Sequence, residues 1–241
     1  MVAFEQAARL GADVLEFDVH ITKDGQLVAI HDATVNRTTN GSGKVDSFTL
    51  KELKQLDAGF NFQDENGNYI YRGKGVTIPT VQEIFGAFPE HFMMIEIKDD
   101  NPRERIDEVV QKLWEAIHTY GMKEQTLVVS FDQNIVDSFQ ALSGQQVALG
   151  GGRQEVKSFV ISSMLSLQTF YRPKVHGFQL PLQEGDIDLT KDYIIENAHK
   201  RGMKIYYWTI NDKETMERLI ESGADGIITD RPDLLLEVLE E

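Results

Sequence analysis

Glu16 and Asp18 stand two residues apart in the run ADVLEFDVH, residues 12–20. If that run is a strand, residues two apart point to one side, about 7 Å from each other. The two carboxylates then share a face near the strand's C-terminal end, where they repel unless a cation lies between them. Glu96, in MMIEIK, lies near the C-terminal end of the next barrel strand, with Lys98 on the same side. Neighbouring strands run about 4.8 Å apart, so Glu96 can complete a three-carboxylate site. A single acidic residue at a strand end is more often simply solvated. Three on adjacent strand ends, flanked by apolar sequence, read as metal ligands. Donors that are all oxygen select Mg²⁺ or Ca²⁺ over zinc and do not separate those two ions.

His31 closes the short run QLVAIH, residues 26–31, and Asp32 follows it. An imidazole folded back over the mouth of a barrel can give or take a proton near neutral pH. Lys98 can neutralise a phosphate oxygen or pair with Glu96, and the sequence leaves both roles open. Trp208 shares a strand face with Tyr206 and can wall a small alcohol or fill the core. Arg37 can hold phosphate or fix its own loop. Asp230 is assigned a structural role beside Arg231 or as a helix cap. His20, His91, His118, His176 and His199 are assigned to surface or packing. Gly150, Gly151 and Gly152 form a glycine-rich loop that lacks the rest of a phosphate-loop pattern.

The elements that must position these residues follow a βα rhythm. Residues 1–10 read as a helix ended by Gly11. Residues 12–20 and 26–31 read as a hairpin with Asp24-Gly25 at the turn. Residues 33–77 form a long excursion with one helix, 49–56, capped by Thr49. An excursion of that length is more often functional than filler. Pro79 and Thr80 open a helix to residue 88. Strands are then expected at 92–98, 126–131, 146–150, 175–181, 203–211 and 226–229. Helices are expected near 103–120, 132–142, 154–168, 190–201, 212–222 and 232–240. Strands alternating with helices imply parallel strands joined by crossovers, hence a TIM (β/α)8-type barrel and a single domain over residues 1–241. Seven barrel strands can be counted where a closed barrel has eight. The chain is therefore expected to lack the first strand, with Met1 an internal methionine.

Composition narrows the partners. Lys and Arg number 24 against 39 Asp and Glu, a net charge of −15, which argues against nucleic acid or an anionic bilayer as the main partner. A phosphate substrate must then be drawn in by a local positive centre. No cysteine is present, which excludes disulfides and thiolate zinc sites. No stretch of 18 apolar residues occurs, so no membrane insertion is expected, and the N-terminus is not a signal peptide. A cytoplasmic location is the expectation.

The segment AFEQAARLGADVLEFDVHITKDGQLVAIHDATVNRTTNGSG, followed by IPTVQEIF, IEIK, VVSFD, YYWTIND and DGIITDRPD, resembles the glycerophosphodiester phosphodiesterase family over nearly the whole chain. That resemblance implies hydrolysis of glycerophosphodiesters to glycerol 3-phosphate and an alcohol. It implies metal ligation by Glu16, Asp18 and Glu96, phosphate contact by Lys98, glycerol contact by Trp208, and His31 as one of two catalytic histidines. The family's other histidine belongs to an H-R-G motif that this sequence lacks. Losing one member of an acid–base pair costs about 10²–10⁴-fold in rate, so weak activity is expected. Two other readings stand beside this one: a phospholipase D or sphingomyelinase D-like phosphodiesterase, and a noncatalytic remnant that binds metal or phosphate. An aldolase- or enolase-type barrel is disfavoured by the hairpin histidine and by the lack of a Schiff-base context for a lysine.

Overall fold

The computed structural model describes residues 1–167, 169 and 171–240. Its first helix, α1 (Val2–Leu10), stops at Gly11, whose φ of 105° is the left-handed conformation that glycine adopts without strain. Strand β1 (Val14–Ile21) turns back into β2 (Leu27–Ala29), with Val19 opposite Ala29 and Ile21 opposite Leu27. The turn between them is closed by the Gly25 N–H to the Thr22 carbonyl at 3.0 Å, with Gly25 at φ 77°.

The excursion after β2 folds on a small core of its own: Val28, Ile30, Val35, Val45, Leu53 and Ile78. Within it, α2 (Leu50–Leu53) starts at Thr49, whose hydroxyl and backbone form a reciprocal capping box with Glu52. The helix expected over 49–56 is regular only to Leu53 and unwinds into turns through Leu56. A second capping box, Thr80 with Glu83, opens α3 (Val81–Ala87).

From there the crossovers are regular: β3 (Phe92–Ile97), α4 (Ile106–Thr119), β4 (Thr126–Val129), α5 (Gln133–Ser143), β5 (Ala148–Leu149), α6 (Arg153–Met164) and β6 (Gly177–Leu180). A hairpin that the sequence did not announce follows, β7 (Gln183–Glu184) and β8 (Ile187–Asp188). The chain ends through α7 (Asp192–His199), β9 (Lys204–Tyr207), α8 (Lys213–Glu221), β10 (Gly226–Ile227) and α9 (Pro232–Glu240). The helix expected over 154–168 ends at Met164, and residue 168 lies outside the described residues. The strand expected over 203–211 pairs over only four residues.

Sheet order is β2-β1-β3-β4-β5 and β10-β9-β6, and a single parallel bridge, Gly150 to Gly177, joins the two. Seven strands thus run parallel in sequence order with helices between them, the architecture of a TIM-type barrel. Among the described residues no ladder joins β10 to β1. Side-chain alternation sorts the two faces. Leu15, Phe17 and Val19 pack outward into the core formed with Val81, Ile84, Val109 and Leu113 of the helices. Met94 and Gln179 point the other way: Gln179 Nε2 lies 2.6 Å from Met94 Sδ although β3 and β6 are not neighbours, so the sheet has curled round and both residues face the barrel interior. Glu16 is in register with Met94, and Asp18 with Glu96, so all three carboxylates face that interior too. No helix among the described residues is long and apolar enough to cross a membrane.

Candidate active site

The β1–β3 register sets Asp18 directly opposite Glu96 at the C-terminal end of both strands. Lys98, two residues beyond Glu96, reaches back between them. Its Nζ lies 3.4 Å from Asp18 Oδ1 and 3.4 Å from Glu96 Oε1. The Lys98, Asp18 and Glu96 side chains are only 12%, 13% and 9% exposed, so little water screens their charges. Of the two roles the sequence left open for Lys98, the structure shows the carboxylate pairing, with Asp18 as well as with Glu96.

One lysine does not balance this much negative charge. Burial first, then the charges of Asp18 and Glu96, push the Glu16 carboxyl from its ordinary 4.5 up to about 8, against the pull of Lys98. Burial likewise raises Glu96 to about 7, with Lys98 opposing and Asp18 adding to the rise. Lys98 moves up as well, because its two carboxylate partners outweigh its own burial. Glu96 Oε1 is buried and accepts no hydrogen bond. A buried carboxylate oxygen held by no hydrogen bond and only by a 3.4 Å ion pair with Lys98, beside two more carboxyls, suits a hard divalent cation, so the donor chemistry of Glu16, Asp18 and Glu96 fits Mg²⁺ or Ca²⁺. Asp18 and Glu96 pair with Lys98 instead. Among the described residues no three His, Asp or Glu side chains close on a common point as a ready cation cage.

Asp230 departs from its expected role. It accepts a hydrogen bond from Asn211 Nδ2 at 2.9 Å, and its charge also reaches Glu16, raising the latter's proton affinity. The negative field of the mouth thus comes from four carboxyls on three strand ends.

His31 leaves β2 with its ring 65% exposed. Its Nδ1 sits 2.8 Å from Asp32 Oδ1, and Arg37 donates to the same carboxylate through Nε at 2.7 Å and Nη2 at 2.9 Å. The Arg37 fork, aided by His31 and outweighing burial, holds the Asp32 carboxyl well below the usual carboxylate range. Asp32 fixes the ring and leaves Nε2 facing outward, the arrangement of an oriented acid–base imidazole. The sequence reading passed over Asp32. The signal available was its place directly after His31 and five residues before an arginine. Arg37, for its part, fixes its own loop. A cleft of about 490 Å³ is lined by Glu16, Asp18, His31 and Arg37 together with apolar Phe62 and Tyr71.

Trp208 stands across the mouth, just past β9. Its ring centroid is 5.6 Å from that of Phe131 in an edge-on arrangement, and its buried Nε1 donates no hydrogen bond. His20 is a buried strut, with Nδ1 2.9 Å from the Ile30 carbonyl and Nε2 2.9 Å from Asp100, tying the hairpin to the loop after β3.

The mouth of this (β/α) barrel thus sets Glu16, Asp18 and a carboxylate-oriented imidazole on one cleft, with Lys98 and Glu96 reaching it through Asp18. The family model described as Glycerophosphoryl diester phosphodiesterase family matches residues 1–234. A glycerophosphodiester phosphodiesterase of Caldanaerobacter subterraneus subsp. tengcongensis is 33% identical, covering 99% of this chain and 90% of that protein. One from Bacillus altitudinis is 30% identical over 100% and 92%. An Oleispira antarctica phosphodiesterase, solved in complex with the product sn-glycerol-3-phosphate, superposes with a TM-score of 0.80 at 23% identity, covering 99% of this chain and 89% of that one. The chain belongs to the glycerophosphoryl diester phosphodiesterase family, and is a phosphoric diester hydrolase.

Proposed function

We propose that the chain hydrolyses glycerophosphodiesters to glycerol 3-phosphate and an alcohol, using Glu16, Asp18, Glu96, Lys98 and His31. The observation that carries this reading is that Asp18, which pairs with Lys98 opposite Glu96, and His31, held by Asp32 and Arg37, line one cleft. Glu16, Asp18 and Glu96 would hold Mg²⁺ or Ca²⁺, which supplies neutralisation of charge on the phosphoryl oxygens. Lys98 donates to a non-bridging phosphate oxygen, so binding of the diester replaces its contacts with Asp18 and Glu96. As a water oxygen bonds to phosphorus and the bond from phosphorus to the leaving oxygen breaks, His31 gives its Nε2 proton to the leaving alcohol and recovers a proton from the water, while Asp32 keeps Nδ1 engaged and the ring in place. Arg37 holds Asp32 and thereby positions His31. Trp208 offers its indole to the alcohol that remains on phosphorus. Residues 33–77 serve as an insertion of the same domain that carries the support for His31.

The test is release of glycerol 3-phosphate from glycerophosphocholine, followed by enzymatic coupling, with Mg²⁺, with Ca²⁺ and after chelation. The expected result is metal-dependent release that His31→Ala abolishes. Release equal to that of His31→Ala under every metal condition would refute the hydrolytic role of this cleft.

A further inference from the structure

The glycine run Gly150–Gly152 and the arginine after it have no part in the charge systems described above. Their geometry is nevertheless specific. A Cβ on Gly150 would come within 2.5 Å of Val129 Cγ1, one on Gly151 within 2.5 Å of the Phe178 ring, and one on Gly152 within 2.8 Å of the Gln133 backbone nitrogen. Only glycine lets the chain lie this close over the ends of β4 and β6. The close approach has a product: Arg153, the first residue of α6, is delivered to the barrel mouth and locked there. Its backbone N–H donates to the Phe131 carbonyl at 3.0 Å, its guanidinium lies 4.5 Å from the Phe131 ring centroid, and its Nη1 donates to Asp99 Oδ2 at 2.8 Å. Asp99 is the residue directly after Lys98, and Phe131 is the ring against which Trp208 packs.

Arg153 and Asp99 are therefore a planar donor–acceptor pair at the rim, backed by an aromatic ring, with the Arg153 side chain 66% exposed and free to meet a ligand. A hydroxyl both gives and takes a hydrogen bond, so vicinal hydroxyls match a guanidinium beside a carboxylate, while aliphatic carbons match the aromatic face. An ammonium headgroup finds no such match, because the cation of Arg153 already occupies the Phe131 ring. His31 stands on the hairpin after β1, and the Arg153 pair stands on the loops after β3, β4 and β5. The Arg153 pair meets the chain at Asp99, next to Lys98 in sequence, and His31 stands on the neighbouring hairpin.

We propose that Arg153 and Asp99, with Phe131 and Trp208, form the subsite that reads the hydroxyls of the alcohol retained on phosphorus. They would make this chain selective for a polyol monoester over a plain alkyl phosphate. The proposal rests on the hydrolytic reading above and adds a specificity-determining pair to it. Arg153 touches neither the carboxylates nor His31, so its effect falls on binding of the polyol and not on proton transfer.

Calorimetric or ligand-observed NMR titration of the full chain with glycerol 3-phosphate and with ethyl phosphate tests it, in Mg²⁺, without any need for turnover. The wild type binds glycerol 3-phosphate about tenfold more tightly than ethyl phosphate, the effect of one or two hydrogen bonds. Arg153→Ala brings the two affinities within about twofold, and Arg153→Lys, which keeps the charge and loses the planar fork, does nearly the same. Thermal unfolding of each variant checks the fold. If the preference survives both substitutions, or the wild type binds both ligands equally, the subsite is refuted while the hydrolytic reading stands. If the wild type binds neither ligand, that reading fails and the subsite falls with it.

Discussion

Replacing Glu16 by glutamine is expected to make the metal-free protein more stable, and only at alkaline pH. The Glu16 carboxyl titrates near 8 in the folded chain against an ordinary 4.5, because it is buried beside Asp18 and Glu96. Between those two values the folded state keeps a proton that the unfolded state has lost. Stability therefore falls as pH rises from about 4.5 to about 8 and levels off above. At about 1.36 kcal/mol per pH unit the span amounts to roughly 5 kcal/mol as an upper bound. Asp18, Glu96 and Lys98 can rearrange around the charge, so roughly 2 kcal/mol is the working figure. For a chain of this size that is a shift of about 4–8 °C in Tm. Thermal unfolding followed by circular dichroism, with chelator present, should show wild type and Glu16→Gln melting together near pH 5 and the variant melting higher near pH 8.5. Millimolar Mg²⁺ or Ca²⁺ should return to the wild type what the glutamine supplies, and should do so only above the carboxyl's titration. Parallel pH profiles for the two proteins would show that Glu16 does not carry the repulsion assigned to it.

Three further outcomes are expected. Asp32→Asn, which keeps the shape of the side chain and removes the charge that holds Arg37 and the His31 ring, lowers kcat by about 10-fold or more but less than His31→Ala; equal loss in the two variants would mean that Asp32 does more than orient the ring. Phe178→Ala, at a fully buried ring 5.0 Å from that of Phe159, costs about 3–5 kcal/mol in urea unfolding. Thr80→Ala removes one arm of the capping box at α3 and costs about 1 kcal/mol, read in the same way.

What could be read in the sequence tracks how locally each feature is determined. The Asp24-Gly25 turn and the Thr49 and Thr80 caps were legible because their hydrogen bonds join residues at most four apart. The apolar runs at β1 and β3 were legible because each face alternates within a single strand. From those two runs the facing of Glu16, Asp18 and Glu96 followed, and the β1–β3 register bears it out. Strand lengths were not legible: residues 203–211 look extended throughout, yet the ladder ends at Tyr207, where β6 ends opposite it at Leu180. The β7–β8 hairpin, two residues a side, is too short to leave a period-two pattern. The way the site is filled was the least legible part. Lys98 lies between Asp18 and Glu96 through the choice of one side-chain conformation. The field of Asp230 at Glu16 joins residues more than two hundred positions apart, and the burial of His20 depends on Asp100 in another loop.

The small core of Val28, Ile30, Val35, Val45, Leu53 and Ile78 has a consequence for how this molecule can fail. His31, Asp32 and Arg37 ride on it, whereas Glu16, Asp18, Glu96 and Lys98 ride on the barrel strands. The β1–β2 ladder, with the Ile30 N–H on the Asp18 carbonyl at 3.0 Å, ties the two groups at the strand, while the loop beyond His31 rests on the small core. A lesion such as Leu53→Ala would let the His31 loop drift while the strand-borne carboxylates stayed in register, leaving a protein that still melts as a barrel yet has lost the alignment of His31 with Asp18.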